Sequence, residues 1–230
     1  MFTPDKPLQT ALLLFAQTDR QESVYKPLFG KTALKRNQAF YRALNQWLHH
    51  VAEQTGLPLF HISETAQTGT TFGERLTNAL LQVFGQGYAH VVVIGNDTPG
   101  LRTRHIMAAV AALDSSDWVV GPATDGGIYV LGVNYSAFNP EWLAELPWRT
   151  PELFGCFERK HSVHVLEDRL GDIDQYPDLL RLKIGNAAFP LRLKRQIEAL
   201  ETPVSTDHYP TLPVSSVYIG PHSLRAPPFV

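Results

Sequence analysis

His90-Val-Val-Val-Ile94 runs into Gly95-Asn96-Asp97-Thr98-Pro99-Gly100, and the same grammar returns as Trp118-Val-Val120, Gly121-Pro122-Ala123-Thr124-Asp125-Gly126-Gly127 and Ile128-Tyr-Val-Leu131. The first run is continuous and β-branched, as a strand buried on both faces should be. Between the two runs Ile106, Val110 and Leu113 mark a helical interval. Strand, acidic turn, helix, strand and acidic turn therefore follow in order, the pattern of a parallel α/β sheet. In such sheets ligands bind beyond the carboxyl ends of the strands, so Asp97 and Asp125 stand where a ligand would sit. Either acid alone is satisfied as an ordinary turn residue. Two on successive strand ends point to a binding edge.

Working outward, Thr10-Ala-Leu-Leu-Leu-Phe-Ala16 reads as a first, central strand. Gln17 to Gly30 shows no periodicity and reads as a loop over the site, its basic Arg20 and Lys26 facing either phosphate or solvent. Ala39, Phe40, Ala43, Leu44, Trp47, Leu48, Val51 and Ala52 form one stripe on a long helix over 35–53. Leu57 to Ile62 reads as a second strand, with Pro58 near its start and His61 as a packed histidine. Thr71 and Glu74 then form a capping box for a helix carrying Phe72, Leu76, Leu80, Val83 and Phe84. Capping leaves Arg75 unexplained, because a cation in the first turn opposes the helix dipole unless an anion or carboxylate answers it. With Gly69 and Gly73 beside it, this segment is a candidate substrate contact.

Farther along, Phe138 to Thr150 is an aromatic, proline-rich loop leading into a helix from Pro151, in which Trp148 serves as a lid, a sugar platform or a buried aromatic. Val163 to Leu166 reads as a further strand. Asp168, Asp172 and Asp174 follow closely, and a helix starting near Asp174 or Gln175 needs only one acid as a cap, leaving the others to bind something. A last helix spans about 190–200. One domain, 1–201, is expected, with an extended proline-rich tail, 202–230, whose strand-like Val214 to Ile219 adds to a sheet edge or reaches a neighbouring copy in a homodimer.

Composition narrows the function. The 230 residues are 44% apolar, enough for one sizeable core, and the net charge of -2 from 20 basic and 22 acidic residues argues against nucleic acid or an anionic membrane as partner. A small-molecule ligand fits better. The single cysteine, Cys156, is a packing residue without a disulfide partner, and no basic segment leads a long apolar run at the N-terminus, so the expected compartment is the cytoplasm.

Five segments together resemble a known family: Gln67-x-Gly69 with Phe72-Gly73-Glu74-Arg75-Leu76; Val93 to Pro99; Gly121 to Tyr129; Pro147-Trp148-Arg149-Thr150; and Asp172-Ile173-Asp174. In this order they are similar to the bacterial family of uncharacterised function numbered 2064, whose members are often labelled glycosyltransferase-like, of an arsenosugar-biosynthesis type. The resemblance covers most of residues 10–185. It implies a nucleotide-diphospho-sugar transferase fold of the GT-A type, a three-layer α/β sandwich on a mostly parallel mixed sheet. It further implies that Asp97 and Asp174 hold Mg²⁺ or Mn²⁺ on a nucleotide diphosphate, neutralising the leaving group. Gly95, Asn96, Thr98, Gly126, Gly127, Arg75 and Trp148 are the expected substrate contacts, and Asp125 the residue that accepts hydrogen bonds from hydroxyls or acts as a base. The partners expected are a nucleotide sugar or nucleotide and a small-molecule acceptor. Related nucleotidyltransferases carry a glycine-rich basic loop after the first strand. This chain does not, and many family members' Lys-Thr-Arg-Leu is here Lys31-Thr32-Ala33-Leu34. Glycosyl transfer, nucleotidyl transfer onto a phosphorylated acceptor, and non-catalytic nucleotide-sugar binding all remain open at this level.

Overall fold

The computed structural model describes residues 9–184 and 190–201. Strand β1 (Thr10–Phe15) is buried along its whole length, as its uninterrupted apolar run requires. It is flanked by β2 (Leu59–Ile62) and β3 (His90–Ile94), parallel to both. Next to β3 lies β5 (Ile128–Asn134), antiparallel to it and to β4 (Trp118–Pro122), while β6 (Val163–Val165) closes the far edge parallel to β4. The order is β2-β1-β3-β5-β4-β6. The runs at His90 and Trp118 thus share one sheet and one direction, with the strand after Gly127 inserted between them in reverse.

Alternation along the strands divides the core into two layers. Leu12, Leu14, Val92 and Ile94 pack with Phe40, Leu44, Leu48 and Val51 of α2 (Leu34–Glu53), Ile106 and Ala109 of α4 (Thr103–Ala112), Leu179 of α7 (Tyr176–Ile184) and Leu193 and Ile197 of α8 (Leu191–Glu201). Ala11, Leu13, Phe15, Val91 and Val93 pack on the other face with Leu76, Leu80 and Val83 of α3 (Phe72–Phe84), Leu143 of α5 (Pro140–Glu145) and Leu153, Phe154 and Phe157 of α6 (Leu153–Glu158). This is the expected three-layer sandwich. None of the helices among the described residues is long and apolar enough to cross a membrane.

Several local readings change. The expected loop 17–30 contains α1 (Asp19–Tyr25), started by Thr18, whose hydroxyl accepts from the Gln21 N–H and whose first turn carries Asp19 and Glu22. Its seven residues are too few to show a hydrophobic stripe. β2 begins only at Leu59, because Pro58 contributes a carbonyl to Leu12 N–H but has no N–H of its own to give. His61 is exposed rather than packed, its ring 6.1 Å from that of His49. The loop 138–150 holds α5, capped by Asn139, and the helix expected from Pro151 starts at Leu153. The tail's strand-like Val214 to Ile219 and its homodimer contact lie outside the described residues.

Candidate functional site

All the glycine-aspartate turns meet at one end of the sheet. β1, β3 and β4 end there, and antiparallel β5 begins there. The segment after β6 is drawn to the same edge by backbone bonds: Thr124 N–H to Leu170 carbonyl (2.9 Å), Leu170 N–H to Pro122 carbonyl (3.3 Å) and Ile173 N–H to Asp97 carbonyl (2.9 Å). These bonds place Asp172 and Asp174 beside Asp97, although the sequence separates them widely. A cavity of about 810 Å³ opens at this edge, within the range of small-molecule sites.

Lys26 stands at the centre of the acidic side. Its Nζ lies 2.6 Å from Asp174 Oδ1, 3.4 Å from Glu22 Oε1 and 3.5 Å from Asp97 Oδ2. Glu22 reaches it from one turn back, so α1 and its C-cap supply both members of the Lys26–Glu22 pair. Burial opposes the charge on Lys26, but the carboxylates of Asp97, Glu22 and Asp174 outweigh it and hold the ammonium above its ordinary range. Burial also pushes the Glu22 carboxyl up, with Lys26 working against the shift. Asp172 lies behind this group, accepting from the Thr98 hydroxyl at 2.5 Å. Burial, and next the Asp97 carboxylate, push it up to about 8.

The expected site residues divide. Asp97, Asp125, Asp174, Gly95, Asn96, Gly127, Arg75 and Trp148 line the cavity. Asn96 is also a structural tie, its Nδ2 donating to Gln17 carbonyl and to Asn45 Oδ1. Asp125 is exposed, with Oδ1 accepting from Gly127 N–H at 2.9 Å, which leaves its second oxygen open. Trp148 is half-buried against Phe72 with its Nε1 donating to Leu143 carbonyl, so it is a fixed wall rather than a lid. Arg75 is anchored by Nη1 to Thr70 carbonyl at 2.9 Å, and among the described residues no carboxylate lies within ion-pair distance of it. Two expectations shift. Thr98 is buried and outside the cavity lining, where its hydroxyl holds Asp172. Gly126, at φ 95°, has the Pro151 carbonyl 2.4 Å from where a Cβ would stand, so its missing side chain admits the 150–151 turn rather than a ligand.

Sequence reasoning offers Lys26 only as a loop cation facing phosphate or solvent and does not find Glu22, because the segment shows no helical periodicity. Thr18 followed by Asp19 and Glu22, an N-cap with acids in the first turn, was the available signal. It also passed over Arg149, which lines the cavity with its guanidinium 5.1 Å above the Phe72 ring and its backbone at φ 66°. Asp168, one of the three clustered acids, turns away to His105 (3.0 Å) and Arg104 (3.3 Å).

The metal implied by the resemblance meets a specific obstacle. Carboxylate oxygens are the right donors for Mg²⁺ or Mn²⁺. Yet the place between Asp97 and Asp174 is filled by the Lys26 ammonium, and among the described residues no three His, Cys, Asp or Glu side chains are arranged to hold a metal ion. As built, this cradle does not fit a divalent ion.

Among solved structures, a Desulfovibrio desulfuricans G20 protein provisionally described as a nucleotide-diphospho-sugar transferase is similar to this chain at 23% identity and TM-score 0.70, over 83% of this chain and 96% of its own. Weaker likenesses reach a Mycobacterium sp. strain JC1 homologue of Rv0371c (16%, TM-score 0.49, 84% and 100% covered) and Mycobacterium tuberculosis H37Rv Rv0371c in complex with manganese (15%, TM-score 0.46, 76% and 97% covered). No curated protein matches. The shared fold is that of the nucleotide-diphospho-sugar transferases, of the GT-A type. The profile of the family described as "uncharacterized protein conserved in bacteria (DUF2064)" matches residues 35–150, half of the chain, and this protein belongs to that family.

Proposed function

We propose that the protein binds a nucleotide-diphospho-sugar across this cavity and transfers the glycosyl group to a small-molecule acceptor. The observation that supports the reading most is that two guanidiniums and an open carboxylate line one cavity. Arg75 and Arg149 supply cations for a diphosphate, while Asp125 keeps an open carboxylate oxygen at a strand end. The segment after β1 forms a Thr18-capped helix with Lys26 at its end, not a glycine-rich loop of N–H groups, which favours a diphosphate over a triphosphate.

In the transfer, the acceptor hydroxyl oxygen bonds to the anomeric carbon as the bond from that carbon to the diphosphate oxygen breaks. The leaving diphosphate takes the bonding electrons, and its charge is met by the Arg75 and Arg149 guanidiniums. The hydroxyl proton passes to the open carboxylate oxygen of Asp125, which is exposed to solvent. Asp172 is engaged by the Thr98 hydroxyl, and its role is to hold that segment in place. Trp148 and Phe72 offer apolar ring surface for a sugar face.

A thermal-shift screen of nucleotide sugars, nucleoside diphosphates and nucleoside triphosphates tests this, because a ligand that binds only the folded state raises the melting temperature. Stabilisation by a nucleotide sugar, with release of nucleoside diphosphate that Asp125→Asn slows by about two orders of magnitude or more, is the expected result. Stabilisation by a triphosphate with release of pyrophosphate would replace glycosyl by nucleotidyl transfer, and binding without turnover would leave a nucleotide-sugar binder.

A further inference from the structure

The carboxylates that the family resemblance assigns to a divalent ion already hold a cation, and that cation belongs to the chain. An ammonium carries three N–H donors, and Lys26 meets three separate carboxylates, at 2.6, 3.4 and 3.5 Å. Its position is fixed from behind. The Lys26 N–H bonds the Glu22 carbonyl at 2.8 Å, and the Lys26 carbonyl accepts from the Tyr41 hydroxyl at 2.8 Å and from Leu28 N–H at 2.9 Å, tying the end of α1 to α2. Glu22 is almost wholly buried, and Lys26 is its ion-pair partner among the described residues. Removing the ammonium from that carboxylate would leave a buried charge unanswered. A divalent ion on Asp97 and Asp174 would have to stand where Nζ now is, or close beside it against like charge.

We propose that Lys26 is the resident cation of this site, taking the place of a divalent ion between Asp97 and Asp174, so that the protein binds its ligand's diphosphate without one. The second half rests on the nucleotide reading above; the first does not. The cradle is overfull in acid, with Glu22, Asp97 and Asp174 around one ammonium. Deleting the ammonium leaves the Glu22, Asp97 and Asp174 carboxylates uncompensated, oxygen donors of the type that Mg²⁺ and Mn²⁺ prefer, which would close in on an ion entering the vacated place.

Titration of Mn²⁺, read as loss of the free-ion electron paramagnetic resonance signal, tests the occupancy with no nucleotide present. The wild type is expected to leave Mn²⁺ free. Lys26→Met, which keeps most of the aliphatic stem, and Lys26→Gln are expected to take up one ion at least about ten-fold more tightly, and adding Asp97→Asn should remove the gain. One ion bound tightly by the wild type overturns the proposal, whether or not the variants fold, and so does equal affinity in folded wild type and variant. A second measurement compares wild-type stabilisation by a nucleoside diphosphate in excess chelator and in Mn²⁺. Equal shifts are expected. A shift lost in chelator overturns metal-independent binding. No shift in either condition counts against the nucleotide reading and against diphosphate binding alike, while the Mn²⁺ titration alone decides what fills the cradle.

Discussion

Gly73→Ala sets two physical effects against each other in the wall of the cavity. Gly73 is the second residue of α3, and replacing glycine by alanine within a helix ordinarily gains up to about 1 kcal/mol. Here an added Cβ would stand 2.1 Å from the Ala144 carbonyl oxygen, 2.8 Å from the Ala144 carbonyl carbon and 2.9 Å from Trp148 Cδ1. Ordinary contact begins at 3.4 Å, so α3 and α5 must part by about 1.3 Å at their crossing. Backbone, unlike the end of a long side chain, yields only by moving whole elements, and overpacking of this type costs about 1–3 kcal/mol or more. The net expectation is a loss of about 2 kcal/mol, which lowers the Tm of a chain this size by about 4–8 °C. Gly155→Ala is the internal control. Its Cβ would meet only the flexible Arg159 Nη1 at 3.4 Å, so the helix preference acts alone and stability should rise. Calorimetric melts of the three proteins decide the matter. Gly73→Ala melting at or above the wild type would refute the close crossing of α3 and α5, and with it the placement of Trp148 as a fixed wall.

Thr71→Ala removes the cap of α3, in which Thr71 Oγ1 accepts from Glu74 N–H at 3.1 Å, and should cost about 1 kcal/mol in urea unfolding; an unchanged midpoint would mean the cap contributes nothing. Tyr41→Phe deletes the hydroxyl bond to Lys26 carbonyl and should cost about 0.5–1.5 kcal/mol by the same assay, with the loss absent if that bond does not hold α1 in place. Burial, and then the charge of Arg104, hold the His105 imidazole below its usual value, its Nδ1 accepting from Arg102 N–H. The unfolded chain therefore binds a proton there that the folded chain refuses, so this contribution is intact above the ordinary histidine value of about 6.5 and stability falls as the pH drops below it. Melts between about pH 7.5 and 5.5 should show that fall, and His105→Gln, whose amide can accept from Arg102 and donate to Asp168, should flatten it; parallel slopes would assign the fall to other groups.

The strands, the long helices and the acids at the strand ends were legible in the chain itself, because each is written locally. A β-branched run such as Val91 to Ile94 is a strand wherever it lies, and the stripe from Ala39 to Ala52 and the capping box at Thr71 and Glu74 are patterns of near neighbours. Asp97 and Asp125 were found for the same reason. The alternation of apolar runs and helical stripes carried the mostly parallel sheet, and the five segments in order carried the family and the fold type it implies.

What surrounds those acids was decided by tertiary structure alone. Lys26 in sequence is one basic residue in a short segment without periodicity, and only the docking of a seven-residue helix against α2 brings its ammonium between carboxylates from β3's end and from the segment after β6. Asp172 and Asp174 look alike in the chain. One accepts from the Thr98 hydroxyl, while the other reaches Lys26, with the bond from Ile173 N–H to Asp97 carbonyl fixing the backbone between them. Gly126 reads as open backbone until Pro151 is seen packed on it. Local sequence sets backbone conformation within a few residues. Charge, burial and pKa depend on neighbours through space, and those neighbours are chosen by the packing of distant elements.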